Sequence, residues 1–130
     1  MVDKWQAQYN FWNQFGVPAY KDTDVPDSDW IAKNHGFPYI TYQSAGGGFG
    51  ELIPINASIW DRNTSWENAD RLSDEIEHYI RTTTGYPYSG GMIRVYIGET
   101  NFSQDLGDPD DDLIKRKILS VVFEFMQLRI

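Results

Sequence analysis

Cysteine is absent from all 130 residues. That excludes disulfides, thiolate metal sites and a cysteine nucleophile, and gives no sign of an oxidising compartment. No apolar run approaches the roughly 20 residues of a membrane helix, so the chain is expected to be soluble. The opening MVDKWQAQYNFW lacks the basic start and apolar stretch of a signal peptide, which makes synthesis in a cytosol the expectation. Imidazole is scarce too, with only His35 and His78. Basic residues are outnumbered, 11 against 19 acidic, for a net charge of −8. A grip on nucleic-acid phosphates needs clustered Lys and Arg, so this balance argues against one. It suits an ordinary soluble surface, or one past which nucleic acid slides without sticking.

Aromatic side chains are plentiful at 15%. Tyr and Trp are enriched at protein interfaces because they bury an apolar body and keep a polar handle, which leans towards assembly. The length fits one domain able to bury about two thirds of its extended-chain surface. No internal repeat or low-complexity tail interrupts it.

Periodicity marks a first helix over Lys4–Phe15, with Trp5, Tyr9, Trp12 and Phe15 along one side. Gly16, Val17 and Pro18 end it. Residues 19–36 are polar and read as an irregular arm, with a short turn near Ser28–Lys33. FPYITYQ, Phe37–Gln43, is a short strand. SAGGGFGE makes a flexible hairpin tip over 44–51, and the returning strand is Leu52–Trp60, with Ile53, Ile55, Ala57 and Ile59 on one face. A turn region follows the second helix, then a strand over Met92–Gly98. A polar connection, ETNFSQDLGDPDDD, leads to a last strand over about Ile114–Leu128. The apolar centre Leu119–Phe123 of that strand fits coverage on both faces. The order helix, strand, strand, helix, strand, strand is α+β: a single domain with a mixed, mostly antiparallel sheet of about four strands. Two helices pack on one face, and the second-helix crossing allows one parallel pair.

The joint between strand and second helix is WDRNTSWENADRLSDEIEHYI, Trp60–Ile80. Thr64 and Glu67 have capping-box spacing. Trp66, Ala69, Leu72, Ile76 and Tyr79/Ile80 then form an apolar stripe opposite a charged face. Trp60 and Trp66 are expected to pack across the turn, with Asp61 and Arg62 holding it or touching a neighbouring subunit. A lost Thr64 cap would cost about 1 kcal/mol. Loss of a buried Trp66 ring would cost about 3–5 kcal/mol.

No constellation for chemistry emerges. The two histidines have no nucleophile or carboxylate at a recognisable spacing. Ala45–Gly50 is glycine-rich but lacks the G-x-x-x-x-G-K-[ST] pattern and opens no helix. It reads as a loop, or as an arm anchored on a partner through Phe49. The run Gly107–Asp112 offers oxygen ligands for Ca²⁺ or Mg²⁺, yet the EF-hand positions for glycine and glutamate counted from Asp108 hold Leu113 and Leu119. A polar turn capping the segment from Leu113, neutralised by Lys115, Arg116 and Lys117, is the simpler reading. Neither a cofactor nor a metal is expected, and the chain reads as no enzyme. A metal-dependent enzyme using the aspartates stays open as a rival.

Several segments in order carry a resemblance. They are FWNQFGVPAY, Val25-Pro26, FPYITY at Phe37–Tyr42, IWDRNTSW at Ile59–Trp66, SGGMIRVYIG, DLGDPDDDLIKR and the pair Glu124-Phe125. Together the chain resembles the tail-terminator and tail-completion proteins of long-tailed bacteriophages. Its hairpin tip is more glycine-rich than is usual there, and TNFSQDL departs from the pattern. The resemblance implies an α+β subunit of a hexameric ring in the virion neck, assembled in the host cytoplasm. The ring's partners would be copies of itself, the tail tube protein and the head–tail connector or stopper protein. DNA would pass through without specific binding, and no membrane is involved. A head-completion or neck connector protein is the alternative. The residues expected at a subunit or bore surface are Trp60, Asp61, Arg62, Trp66, Phe49, Phe102, Asp105, Asp108, Asp110, Asp111 and Asp112.

Overall fold

The computed structural model describes residues 3–98 and 101–127. Among them are three helices and seven strands in one α+β domain, against the two helices and about four strands expected. The spine is β7 (Asp111–Gln127), a 17-residue strand. One side of β7 pairs antiparallel with β3 (Leu52–Arg62) along Ile114–Glu124. Its other side takes β6 (Ser103–Asp108) near its start and β5 (Gly91–Ile97) near its end. Beyond β3 come β2 (Tyr39–Tyr42) and then β1 (Ala19–Lys21), while β4 (Tyr86–Tyr88) edges β5. Leu128, the expected end of the last strand, lies outside the described residues.

The extra elements are short or polar, so they lack the periodicity by which strands announce themselves. β6 reads Ser-Gln-Asp-Leu-Gly-Asp, lies exposed, and occupies what was expected to be a plain connection. Within 19–36, expected as an irregular arm, sit β1 and the helix α2 (Ser28–Asn34), capped by Asp27 through the Trp30 N–H at 2.9 Å. Among the described residues the one parallel pair is β1–β2, crossed by α2, and the second-helix crossing makes none.

Helices α1 (Lys4–Asn13) and α3 (Glu67–Thr82) pack on the same face of the sheet, as expected. The buried alternation of Ile55, Ala57 and Ile59 on β3 also stands. The face of α1 does not. Its buried residues are Ala7, Gln8, Phe11 and Trp12, while Trp5 and Tyr9 are 48% and 45% exposed. Trp12 stacks between Tyr42 and Phe123 at 6.0 and 6.2 Å, and Phe11 meets Phe123 edge-on at 5.6 Å. These rings form the centre of the core, each removing about 150–250 Å² from water.

Residues 44–51, expected as a flexible tip, are tied to the body. Gln8 is fully buried and grips the backbone of Ala45 twice: its Nε2 donates to the carbonyl at 3.0 Å, and its Oε1 accepts the N–H at 2.6 Å. Gly50 donates to the Phe125 carbonyl at 2.9 Å. Gly47 and Gly50, at φ +137° and +82°, turn the backbone through the left-handed region that side chains avoid.

Candidate functional site

The strand–helix joint differs from its sequence reading. β3 runs on through Asp61 and Arg62, and α3 begins only at Glu67. Trp66 occupies the N-cap with no side-chain cap bond, so no Thr64–Glu67 capping box forms. The Thr64 hydroxyl turns to Asn63 Oδ1 at 3.4 Å, and Ser65 Oγ accepts the Glu67 N–H at 3.3 Å. Trp60 and Trp66 do not pack together. β-strand alternation puts Trp60 on the face away from α1 and α3, whereas Trp66 packs against the helix-side core. Asp61, on the helix side, is only 3% exposed, and its Oδ2 has no partner among the described residues. It is therefore buried inside the protomer. Phe102 is likewise part of the core. Phe49 does stand out, at 57% exposure.

The aspartate run divides into parts. Asp108 and Asp111 close the β6–β7 hairpin: Asp108 Oδ1 accepts the Asp110 N–H at 2.8 Å, and Asp111 Oδ1 accepts that of Leu113 at 3.0 Å. This is the capping turn expected ahead of Leu113. The Leu113 N–H holds the Asp111 carboxyl below the ordinary carboxylate range, with Arg62 at 3.3 Å adding to it. Asp105 instead meets Lys117 at 2.5 Å, and Lys117 also reaches Asp70 of α3 at 2.9 Å. Burial opposes the Lys117 charge, but these bonds outweigh it and leave its pKa above the ordinary value. Lys117 thus ties β6, β7 and α3 together. Asp110 and Asp112 are exposed on the hairpin tip. Among the described residues no group of three or more His, Asp or Glu gathers to hold a metal.

His35 and His78 lie apart. His35 Nδ1 donates to the Gly36 carbonyl at 2.6 Å, and Nε2 meets Tyr20 Oη, also at 2.6 Å. Tyr20, Tyr39 and His35 form an aromatic patch by the end of α2, on the sheet face opposite α1 and α3. His78 is exposed on α3.

The apolar centre of the last strand led to the expectation of cover on both faces, but among the described residues the face opposite α1 and α3 is left open. Across β3, β7, β5 and β6 no helix covers it. The register lines up Tyr39, Trp60, Arg116 and Leu106 in one row over four strands. Arg116 lies over the Trp60 ring at 4.6 Å and donates from Nε to Ser58 Oγ at 3.0 Å, while Trp60 Nε1 donates to Thr41 Oγ1 at 2.9 Å. Six residues along β3, a second ridge holds Pro54, Val122 and Tyr96. Leu52 beside it is 63% exposed. Between the ridges lie Asn56, Ser58, Ile118, Ser120 and Gly98, and a groove of about 440 Å³ opens over Asn56, Ser120 and Gly98 against Leu52, Pro54 and Val122. Gly98 is needed there, because a Cβ would fall 2.9 Å from that of Ser120. The signal in the sequence was the apolar content of both faces of β7, which pointed to a second cover that the protomer does not supply.

No family model matches the chain, and no curated protein matches it in sequence.

Proposed function

We propose that the chain is a structural subunit of a long-tailed bacteriophage virion, a tail terminator that closes into a ring on the tail tube and joins it to the head connector. One observation carries this reading: the protomer is a two-layer body with unlike sides. A helix layer with exposed aromatic and acidic residues lies on one side, and an open sheet face with arginines and apolar ridges on the other. A closed ring needs two different, complementary patches on each copy, because its contacts are heterologous. The ordered segments that resemble tail-completion proteins supply the phage context.

The exposed Asp110 and Asp112 fit a bore that repels DNA phosphates. Neutralising Asp108, Asp110 and Asp112 together should make free rings retain DNA at low salt; unchanged retention removes the hairpin from the bore. The function is tested by tail assembly with and without the protein. Tubes of fixed length in its presence and overgrown tubes in its absence support the terminator role. Unchanged tubes with a failure of head closure assign the neck-connector role instead.

A further inference from the structure

We infer that the open sheet face is the seat of a second copy of this chain, docked front to back by its helix layer. The inference rests on the ring reading and names the surfaces that would make the ring.

Size comes first. The 11 residues of β3 at about 3.3 Å each, across the width of three strands about 4.8 Å apart (β3, β7, and β6 followed in line by β5), span about 500 Å². A standard interface buries about 800 Å² per partner, so this face supplies over half of one patch. The ridge at Trp60 and the ridge at Pro54 are six residues, or about 20 Å, apart. That leaves room for one α-helix of about 10–12 Å diameter over the floor of Asn56, Ser58, Ile118 and Ser120.

Charge selects the occupant. On the open face Arg62 is paired with Asp111, while Arg94 and Arg116 form no ion pair among the described residues. The Nε of Arg94 is buried without an acceptor. Arg94 stands opposite Glu124 in the β5–β7 register without an ion pair between them, and Arg116 is held over the Trp60 ring with no carboxylate partner among the described residues. On α3, Glu67 and Glu77 are paired with Arg71 and Arg81, and Asp70 with Lys117. Asp74 and Glu75 are exposed and have no ion partner among the described residues. The unmatched acids of the helix layer thus complement the unmatched arginines of the sheet face. They lie on opposite sides of one protomer, so they can meet only between copies.

Native cysteine is absent, so placed cysteines report the contact directly. Ser120→Cys stands in the groove and Glu75→Cys on α3. A short bismaleimide should link the double variant into a ladder of oligomers ending at the ring. Each single variant should stay unlinked, and all should melt with the wild type. Cross-linked dimers from Ser120→Cys alone would establish face-to-face pairing and overturn the inference. An unlinked double variant that still forms rings in native mass spectrometry would overturn it too, while leaving the terminator role to the tube-length assay. A double variant that stays monomeric at assembly concentrations, like the wild type, refutes both.

Discussion

Replacing Gln8 tests the least obvious contact in the molecule. Its amide serves the backbone of Ala45 as a neighbouring strand would, taking the N–H at 2.6 Å and supplying a donor to the carbonyl at 3.0 Å. Both Gln8 and Ala45 are buried. In Gln8→Ala two backbone groups lose their partners away from water, each at about 1–3 kcal/mol. The total, about 3–5 kcal/mol, is a large part of the 5–15 kcal/mol typical of a domain. At about 3–5 °C per kcal/mol for this size, the melting temperature should fall by about 10–20 °C. Gln8→Glu refines the test. Its carboxylate accepts from Ala45 N–H but faces the carbonyl without a proton to donate, so burial and that carbonyl should raise its pKa in the folded state. A raised pKa means stability is present below the ordinary glutamate value, near 4.3, and is lost as pH rises through the folded value. The deficit against wild type should be small at pH 4 and exceed about 2 kcal/mol at pH 8. Denaturant unfolding followed by tryptophan fluorescence measures both variants. A loss under about 1 kcal/mol for Gln8→Ala, or a pH-independent deficit for Gln8→Glu, would refute the reasoning.

Four further perturbations have definite outcomes. Burial first, then Tyr9 and Asp24, push the Tyr42 hydroxyl up to about 12, so the folded state holds that proton longer than the unfolded chain. Stability should therefore fall by about 2–3 kcal/mol between pH 10 and 12, and Tyr42→Phe should remove that part of the slope in alkaline melting curves. Lys117→Met should cost about 1–2 kcal/mol, since Asp70 and Asp105 stay half-exposed and hydrated, and hydrogen exchange should quicken in β6 before the rest of the sheet. Thr64→Ala should change stability by less than about 0.5 kcal/mol, because its hydroxyl caps nothing. Trp66→Ala should cost about 1–3 kcal/mol, less than for a fully buried ring, and paired thermal melts separate the two.

The apolar alternation of β3, the stripe of α3 and the α+β class were legible because burial on one face writes a period into the chain. The aspartate turn before Leu113 was legible through residue chemistry. β6 and β1 were not, since an exposed or three-residue strand carries no periodic signal and exists through its neighbour's hydrogen bonds. The capping box failed because T-x-x-E spacing fits a helix start at Ser65, whereas β3 pairing with β7 prolongs the strand and delays the helix to Glu67. The aromatic stripe of α1 was misassigned for a related reason. Trp5, Tyr9 and Trp12 share one spacing and Phe11 and Trp12 another, and only the positions of Tyr42 and Phe123 select the second.

Composition by itself excluded disulfide and thiolate chemistry and set the acidic balance, since those depend only on which groups are present. Local periodicity determined which long segments coil and which extend. Tertiary structure alone decided where charges find partners: Lys117 between Asp70 and Asp105, Gln8 on Ala45, and Arg116 over Trp60 on a face left open. Those meetings join residues distant in the chain, and no local pattern encodes a distance that only folding closes.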